Sequence, residues 1–141
     1  MIKLSKLADY AVVIIAALDA QKEELVSSSV LSKESKLPEP TVAKVLKLLA
    51  SAEIVVSIRG VKGGYKLTKP LDDIKISDVI TSVDGPIALT ACVETSEECC
   101  DFAPQCAMHG RWNQVNKAIN DALDMVTVGS MMNPQKQKER A

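Results

Sequence analysis

The chain has 141 residues, of which 47% are hydrophobic and 3% aromatic, so its core must be built mainly from aliphatic side chains. The net charge of −1 hides an asymmetry between the two halves of the chain. Residues 1–70 hold 11 Lys and Arg against 7 Asp and Glu, a net charge of +4, whereas residues 71–141 hold 6 against 11, a net charge of −5. The positive charge of the first half suits binding to a polyanion such as DNA. No apolar run reaches the roughly 20 residues that span a membrane, and Asp9 and Tyr10 interrupt the apolar stretch near the start, so we expect a cytoplasmic protein without a signal peptide.

Three helices are predicted in the first half of the chain. Residues 5–20 carry apolar side chains at three- and four-residue spacing, and Ser5 can cap the helix N-terminus. Residues 27–36 follow as a short helix, begun by one of three serines that can cap it. The Leu-Pro-Glu-Pro sequence that comes next predicts a turn. Its last proline, Pro40, suits the first turn of a third helix over 40–51, because the missing N–H costs nothing there. We expect the buried stripe of that helix to consist of Val42, Val45, Leu46 and Leu49.

Two short strands joined by a basic, glycine-rich turn come next. Residues 54–58 and 65–67 favour β-structure, and the glycines between them permit the positive φ angles of a hairpin tip. The order of helices followed by a basic hairpin is typical of a winged helix-turn-helix domain. We therefore predict a mainly α-helical fold with a small β-wing. The helix over 40–51 would enter the major groove, and the wing would contact the flanking backbone or the minor groove.

The candidate DNA-binding residues divide into base-reading and phosphate-binding positions. At the start of the third helix, Thr41 is placed to contact a thymine methyl group and Lys44 to reach guanine, and Arg59 in the wing is placed to enter a minor groove. The full set is Lys3, Lys33, Glu39, Thr41, Ala43, Lys44, Lys47, Arg59 and Lys62. The alternative is a core helix with solvated lysines, but the basic hairpin directly after it favours DNA binding.

A short helix is predicted over 76–83, and an irregular segment after it holds all four cysteines and the single histidine. The spacing is Cys92-x6-Cys99-Cys100-x5-Cys106-x2-His109. Thiolates select zinc, copper(I) or iron–sulfur clusters, and imidazole suits zinc and iron. Because successive side chains diverge, only one cysteine of the adjacent pair is expected to join the first and last cysteines as a ligand. The fourth ligand would be the histidine or an oxygen from elsewhere.

Other uses of these residues stay open at this point. Zinc sites usually have tight C-x2-C spacing, so the wide gaps here suit an iron–sulfur cluster better than zinc. A zinc site, a redox disulfide such as Cys92 with Cys100, or inert reduced thiols are the alternatives. Asp9 is either an acid that favours the helix dipole or a carboxylate ligand offered to the cluster of a partner subunit.

A long amphipathic helix is predicted over 107–128. Its apolar stripe consists of Trp112, Val115, Ile119, Ala122, Leu123 and Val126. Pairing with a second copy would bury this stripe, and packing on its own domain is the alternative. The predicted organisation is a winged helix-turn-helix domain over 1–70, a linking helix and cysteine loop over 71–106, a dimerisation helix over 107–128 and a disordered polar tail over 129–141.

Three stretches of the sequence carry a resemblance. They are LSKLADYAVVIIAAL at the start, ASAEIVVSIRGVKGGYKL through the wing and IKISDVITSVDGP before the cysteines. Together with the cysteine loop, they resemble the IscR/NsrR family of bacterial winged-helix iron–sulfur regulators over about residues 1–128. The phrase S-K-L-x-D-Y-A is similar to the subgroup that regulates the SUF cluster-assembly operon. The wing phrase V-x-S-x-R-G-x-x-G-G-Y is quite specific, and its combination with the cysteine loop is more so.

The resemblance implies a homodimer that binds a palindromic operator in double-stranded DNA. Each subunit would hold a [2Fe-2S] or [4Fe-4S] cluster whose presence or redox state changes DNA affinity. By position, the family's three cysteines correspond to Cys92, Cys100 and Cys106. His109 matches the fourth ligand of the IscR type, and Asp9 matches the aspartate that NsrR-type members supply from the other subunit. The additional Cys99 leaves the middle ligand open, and Ala43 stands where IscR has a glutamate that helps to select its sites.

The sequence therefore predicts a transcription factor, a repressor, that senses iron–sulfur cluster status and controls cluster-assembly genes. The alternatives are a regulator that responds to nitric oxide or thiol oxidation, a zinc-binding winged-helix regulator, and an electron-transfer protein. We do not expect an enzyme, because the sequence shows no nucleophile–base constellation and its one histidine lies among the cysteines.

Overall fold

The computed structural model describes residues 1–22 and 24–135. In chain order its helices and strands are α1 (Lys6–Ala20), α2 (Ser28–Ser35), α3 (Glu39–Ser51), β1 (Val55–Ile58), β2 (Gly64–Leu67), α4 (Ile76–Asp84), α5 (Asn113–Asp124) and α6 (Val128–Met132). Short 3-10 turns lie at Leu71–Asp73 and Ala103–Gln105. The prediction of a mainly helical fold with a small β-wing is confirmed. None of the helices in the described part of the chain has the length and hydropathy needed to span a bilayer.

The first two helices begin directly after serines that were predicted to cap them. The Ser5 hydroxyl accepts a hydrogen bond from the Ala8 amide at 3.1 Å, and the Ser27 hydroxyl accepts one from the Val30 amide at 3.3 Å. Pro40 lies in the first turn of α3. The fully buried stripe of α3 is Val42, Val45, Leu46 and Leu49, as predicted.

A single aliphatic core joins the two halves of the chain. Its fully buried members include Ala11, Ile14, Ile15, Leu31, Ile74, Val79 and Val128. Because α4 packs against both α1 and α3, the acidic second half of the chain is attached directly to the helix-turn-helix.

Glycines set the shape of the wing. β1 and β2 pair antiparallel, with Ile58 opposite Gly64. The Gly63 amide donates to the Gly60 carbonyl oxygen at 3.0 Å, and Gly60 has a φ of +124°. A Cβ atom on Gly63 would lie 2.1 Å from the carbonyl oxygen of Ile58, so no larger residue fits there without a shift of the backbone.

The wing is also attached to the connection between α1 and α2. The Tyr65 amide donates to the Val26 carbonyl oxygen at 2.8 Å, and the Val26 amide donates to the Tyr65 carbonyl oxygen at 3.0 Å. A Cβ atom on Gly64 would lie 2.7 Å from the same Val26 oxygen. These bonds hold the wing against the helical body.

The C-terminal part differs from the single helix predicted over 107–128. Turns precede α5, and Gly110 has a φ of +71°, which interrupts a helix before residue 113. After α5 the chain is extended, because the Ile76 amide donates to the Val126 carbonyl oxygen and the Val128 amide to the Ile74 carbonyl oxygen, both at 2.9 Å. This bridge satisfies backbone groups that a continuous helix would have paired internally.

Part of the tail that was expected to be disordered is helical. The Thr127 hydroxyl accepts from the Ser130 amide at 3.1 Å and the Ser130 hydroxyl accepts from the Thr127 amide, which together form a capping box that starts α6. Val128 is fully buried in the core, which fixes this short helix. Residues 136–141 of the predicted tail lie outside the described residues.

The predicted stripe of the long helix is divided between two environments. Leu123 and Val126 are partly buried and pack against the core. Trp112 and Val115 instead remain 43% and 38% exposed. The exposed apolar positions of α5 and of its C-cap are Val115, Ala118, Ala122 and Met125, which recur at three- and four-residue spacing. This face of α5 is therefore not covered by any element among residues 1–22 and 24–135.

Candidate nucleic-acid interface and cysteine loop

A groove lies between the N-terminal part of α2, the exposed face of α3 and the wing. Its volume is about 610 Å³. It is lined by Ser27, Ser28, Ala43, Lys47, residues 57–60 and residues 63–65. Lys47 from α3 and Arg59 from the wing thus face one concave surface. Cations on two sides of a groove suit a phosphate backbone.

No carboxylate among the described residues forms an ion pair with the cations of this surface. In the described residues, the one ion pair joins Lys117 to Asp121 on α5, far along the chain from the wing. The side chains of Lys44, Lys47 and Arg59 are exposed and are free to pair with phosphates.

The structure gathers some of the predicted DNA-binding residues and separates others. Ala43, Lys47 and Arg59 line the groove. Glu39 and Lys44 are exposed on α3, Thr41 is half-buried, and Lys62 is exposed near the wing tip. Lys3, before α1, and Lys33, on α2, are exposed but do not line the groove. The individual DNA contacts of all nine residues stay predictions.

Among the groove-lining residues that the sequence did not assign to DNA binding, four carry hydroxyl groups. They are Ser27, Ser28, Ser57 and Tyr65. The run of three serines was interpreted only as a helix cap, although hydroxyls and amides at the start of a helix also suit phosphate oxygens. Ser57 and Tyr65 lie directly opposite each other in the wing, and strand pairing would have placed them together.

The cysteine loop runs between α4 and α5 and contains only turns and one 3-10 turn. All four cysteines are free thiols; Cys92 and Cys100 are half-buried, and Cys99 and Cys106 are exposed. The Thr90 hydroxyl lies 3.2 Å from the Cys92 sulfur. This hydrogen bond lowers the pKa of the Cys92 thiol, and the Gly110 amide acts in the same direction against a smaller effect of burial.

The predicted metal ligands are not brought together in this arrangement. Within the described residues, no group of three His, Cys, Asp or Glu side chains is close enough to hold a metal ion. His109 is exposed, and its backbone amide donates to the Cys106 carbonyl oxygen at 3.1 Å. Asp9 is exposed in the first turn of α1. The donor types fit an iron–sulfur cluster, but the loop would have to rearrange to bind one.

The family of the chain follows from comparison with known proteins. The sequence profile of the Rrf2 family, described as an iron-dependent transcriptional regulator, matches residues 4–134. The chain belongs to the Rrf2 family. This Rrf2 chain is 30% identical over 132 residues to the transcriptional regulator IscR of Aliivibrio salmonicida, and the alignment covers 92% of this chain and 77% of that protein.

Solved structures agree with this assignment. The Rrf2 chain is similar to T. potens IscR, with a TM-score of 0.66 and 26% identity over 99% of this chain and 93% of that one. It is also similar to CymR (YrzC), the global cysteine regulator of B. subtilis, with a TM-score of 0.68 and 27% identity over 93% of this chain and 96% of that one. The resemblance to IscR-type regulators is therefore confirmed, and these relatives are named as regulators rather than as enzymes.

Proposed function

We propose that this Rrf2 chain is a homodimeric DNA-binding repressor that senses iron–sulfur cluster status through its cysteine loop and controls cluster-assembly genes. One observation carries the proposal. Four free thiols and the histidine lie in a single loop attached to α5, on a scaffold whose other end is a winged helix-turn-helix. A change at the cysteines can thereby alter how the recognition helices are presented to DNA.

The groove between α3 and the wing supports DNA binding. Unpaired Lys47 and Arg59 face it, and the exposed start of α3 offers short side chains to a major groove. The net +4 of residues 1–70 adds long-range attraction for a polyanion.

The exposed face of α5 supports a homodimer. Its apolar positions are Val115, Ala118, Ala122 and Met125. The two alanines permit close approach of a second helix, and antiparallel pairing of two copies would bury both stripes. A twofold dimer then presents two recognition helices to a palindromic operator.

The cluster, [2Fe-2S] or [4Fe-4S], would be held by Cys92, Cys106 and either Cys99 or Cys100. The fourth ligand would be His109, or Asp9 from the second subunit. Bound there, the cluster supplies a redox-active, oxidant-sensitive centre. For the protein to act as a sensor, the cluster must bind more tightly to one of two states that differ in DNA affinity.

Anaerobic purification tests this proposal. We expect visible absorption bands with stoichiometric iron and acid-labile sulfide, together with a change in DNA affinity when the cluster is removed. Cys92→Ser should abolish iron binding. Arg59→Ala, as a matched control outside the loop, should retain the cluster and lose DNA affinity. A colourless protein that contains zinc and fails reconstitution with iron and sulfide would contradict the sensing proposal.

A thiol-redox regulator on the same scaffold is the second candidate. It is supported by the separate positions of the thiols, by the lowered pKa of Cys92 and by the similarity to a protein described as a cysteine regulator. In this case the metal-free protein would change its DNA affinity on treatment with a thiol oxidant. Replacement of Cys92 by serine would remove that response while DNA binding by the reduced protein persists.

A further inference from the structure

One buried side chain of α5 holds both ends of the loop segment that contains the first cysteine. Asn116 is only 4% exposed. Its side-chain nitrogen donates to the Ile87 carbonyl oxygen at 3.0 Å and to the Thr95 hydroxyl at 3.1 Å. Its side-chain oxygen accepts from the Leu89 amide at 2.9 Å. All the polar atoms of this side chain are thus used to hold residues 87–95.

Further contacts close the same segment. The Thr95 hydroxyl donates to the Ile87 carbonyl oxygen at 2.7 Å, and the Asn113 side-chain oxygen accepts from the Glu94 amide at 2.9 Å. Val93, next to Cys92, is buried. Cys92 therefore lies in a short loop that is fixed at both ends to α5.

Residues 97–112 are held quite differently. In the described structure their hydrogen bonds join positions no more than four apart, except for the Gly110 amide beside the Cys92 thiol. Cys99, Cys106 and His109 are all exposed. This part of the loop can rearrange without breaking any bond between residues 87–95 and α5.

We infer that Asn116 is a positioning residue that makes residues 87–95 and α5 one rigid unit, so that Cys92 is presented at a fixed place and residues 97–112 bring the other donors to it. The inference rests on the proposed sensing function of the cysteine loop. It also explains how donors that are separate in the described structure can form one site.

The chemistry of an asparagine suits this role. An amide offers two donors and an acceptor at one buried position. An aspartate would lose both donations, and a leucine would leave the Leu89 amide unpaired and the Ile87 carbonyl with only the Thr95 hydroxyl as donor. The Ser77 hydroxyl of α4 donates to the Asp124 carboxylate of α5. Since α4 packs against α3, a displacement of the rigid unit can be passed through α4 to α3, the predicted recognition helix.

The test uses the full chain, both metal-free and after anaerobic reconstitution with ferrous iron and sulfide. In metal-free Asn116→Ala, amide hydrogen exchange over 87–95 should accelerate about tenfold or more, because loss of buried hydrogen bonds shifts a local opening equilibrium by roughly that factor. The acceleration should include the Glu94 amide, which Asn113 holds, while exchange in α3 stays unchanged. The reconstituted variant should lose iron faster than the wild-type protein does.

Asn120→Ala is the matched control. Asn120 lies one turn further along α5 and, like Asn116 and Thr95, lines a cavity between α5 and the loop. Among the described residues, its side chain makes no hydrogen bond to residues 87–95. We expect wild-type exchange and iron retention from it. Thr95→Val serves if Asn116→Ala fails to fold, because Thr95 is exposed and its replacement removes two bonds of the same loop.

Each outcome decides the inference. Unchanged exchange over 87–95, or equal acceleration in α3, would overturn it. Accelerated exchange with wild-type iron retention would overturn the role of Asn116 in positioning the thiol. If the wild-type protein takes up no iron and sulfide, the proposed sensing function fails, while the exchange experiment still shows whether Asn116 makes one unit of the loop and α5.

Discussion

Thr90 and Cys92 form the clearest chemical pair at the scale of single residues. Their side chains are 3.2 Å apart, and the hydroxyl lowers the pKa of the thiol. A lowered pKa means that the thiolate persists to lower pH. Cys92 of the metal-free protein should therefore be alkylated at lower pH than a thiol of ordinary pKa.

Thr90→Val should move the pKa of Cys92 upward. We expect the pH profile of Cys92 alkylation by iodoacetamide, followed by mass spectrometry, to shift to higher pH and the rate near neutral pH to fall. Cys99 in the same sample is the internal reference and should be unaffected. A profile of Cys92 that does not move would show that the Gly110 amide, rather than Thr90, sets the thiol's pKa.

Arg59 provides the second test at this scale. Arg59→Ala should weaken binding to a mixed-sequence duplex and reduce the slope of log affinity against log salt by about 0.9, the value for one phosphate contact. Fluorescence anisotropy across a salt series measures both quantities. Lys75→Ala removes an exposed cation directly before α4 and should leave the slope unchanged. A slope that is equally reduced by both variants would indicate a general charge effect instead of a wing contact.

Residues of the candidate site differ in how far the sequence could predict them. The cysteines and His109 were identifiable because their chemistry is rare and their positions are close in the chain. Asn116 was not, because an asparagine in an amphipathic helix is usually solvated. Asn116 is buried only because residues 87–95 fold back over α5, and no local sequence pattern predicts that contact.

At the scale of elements, the wing depends on the close approach of the backbone at Gly63 to the backbone at Ile58. In Gly63→Ala the new methyl group would meet the Ile58 carbonyl oxygen, so we expect a loss of about 1–3 kcal/mol in the free energy of unfolding together with weaker DNA binding. Urea unfolding and anisotropy measure the two effects. Val61→Ala changes the fully exposed wing tip and should leave stability unchanged. Wild-type stability of Gly63→Ala would mean that the wing relaxes without cost.

The elements also show where periodicity succeeds and where it fails. Helix α3 buries one face, and helical spacing predicted each residue of the apolar stripe on that face. The helix over 107–128 has apolar residues at helical spacing, but Gly110 interrupts its start, and Val126 pairs with Ile76 instead of continuing the helix. Long-range backbone pairing of this kind competes with local helix formation, and the helical spacing of apolar residues does not predict such pairing.

At the scale of the whole molecule, the exposed apolar stripe of α5 predicts that two copies of the chain form a dimer. Val115→Lys should convert a dimer to a monomer in light scattering coupled to size exclusion, because a buried unpaired charge opposes association. Affinity for a palindromic duplex should fall with it, since two half-sites would no longer be bound together. Gln114→Lys introduces the same charge at the adjacent exposed position and should remain dimeric. A dimeric Val115→Lys protein would place the interface on another surface.

The sequence by itself determined the order of the elements, the capping serines, the glycine-dependent wing and the set of candidate metal donors. These features depend on local sterics, on periodicity within one element, or on rare side chains, and all three are visible in a short stretch of sequence. Only the tertiary structure decided the groove between α3 and the wing, the division of the C-terminal helix and the burial of Asn116. Each of those depends on contacts between residues far apart in the chain, whose pairing is set by how the whole core packs.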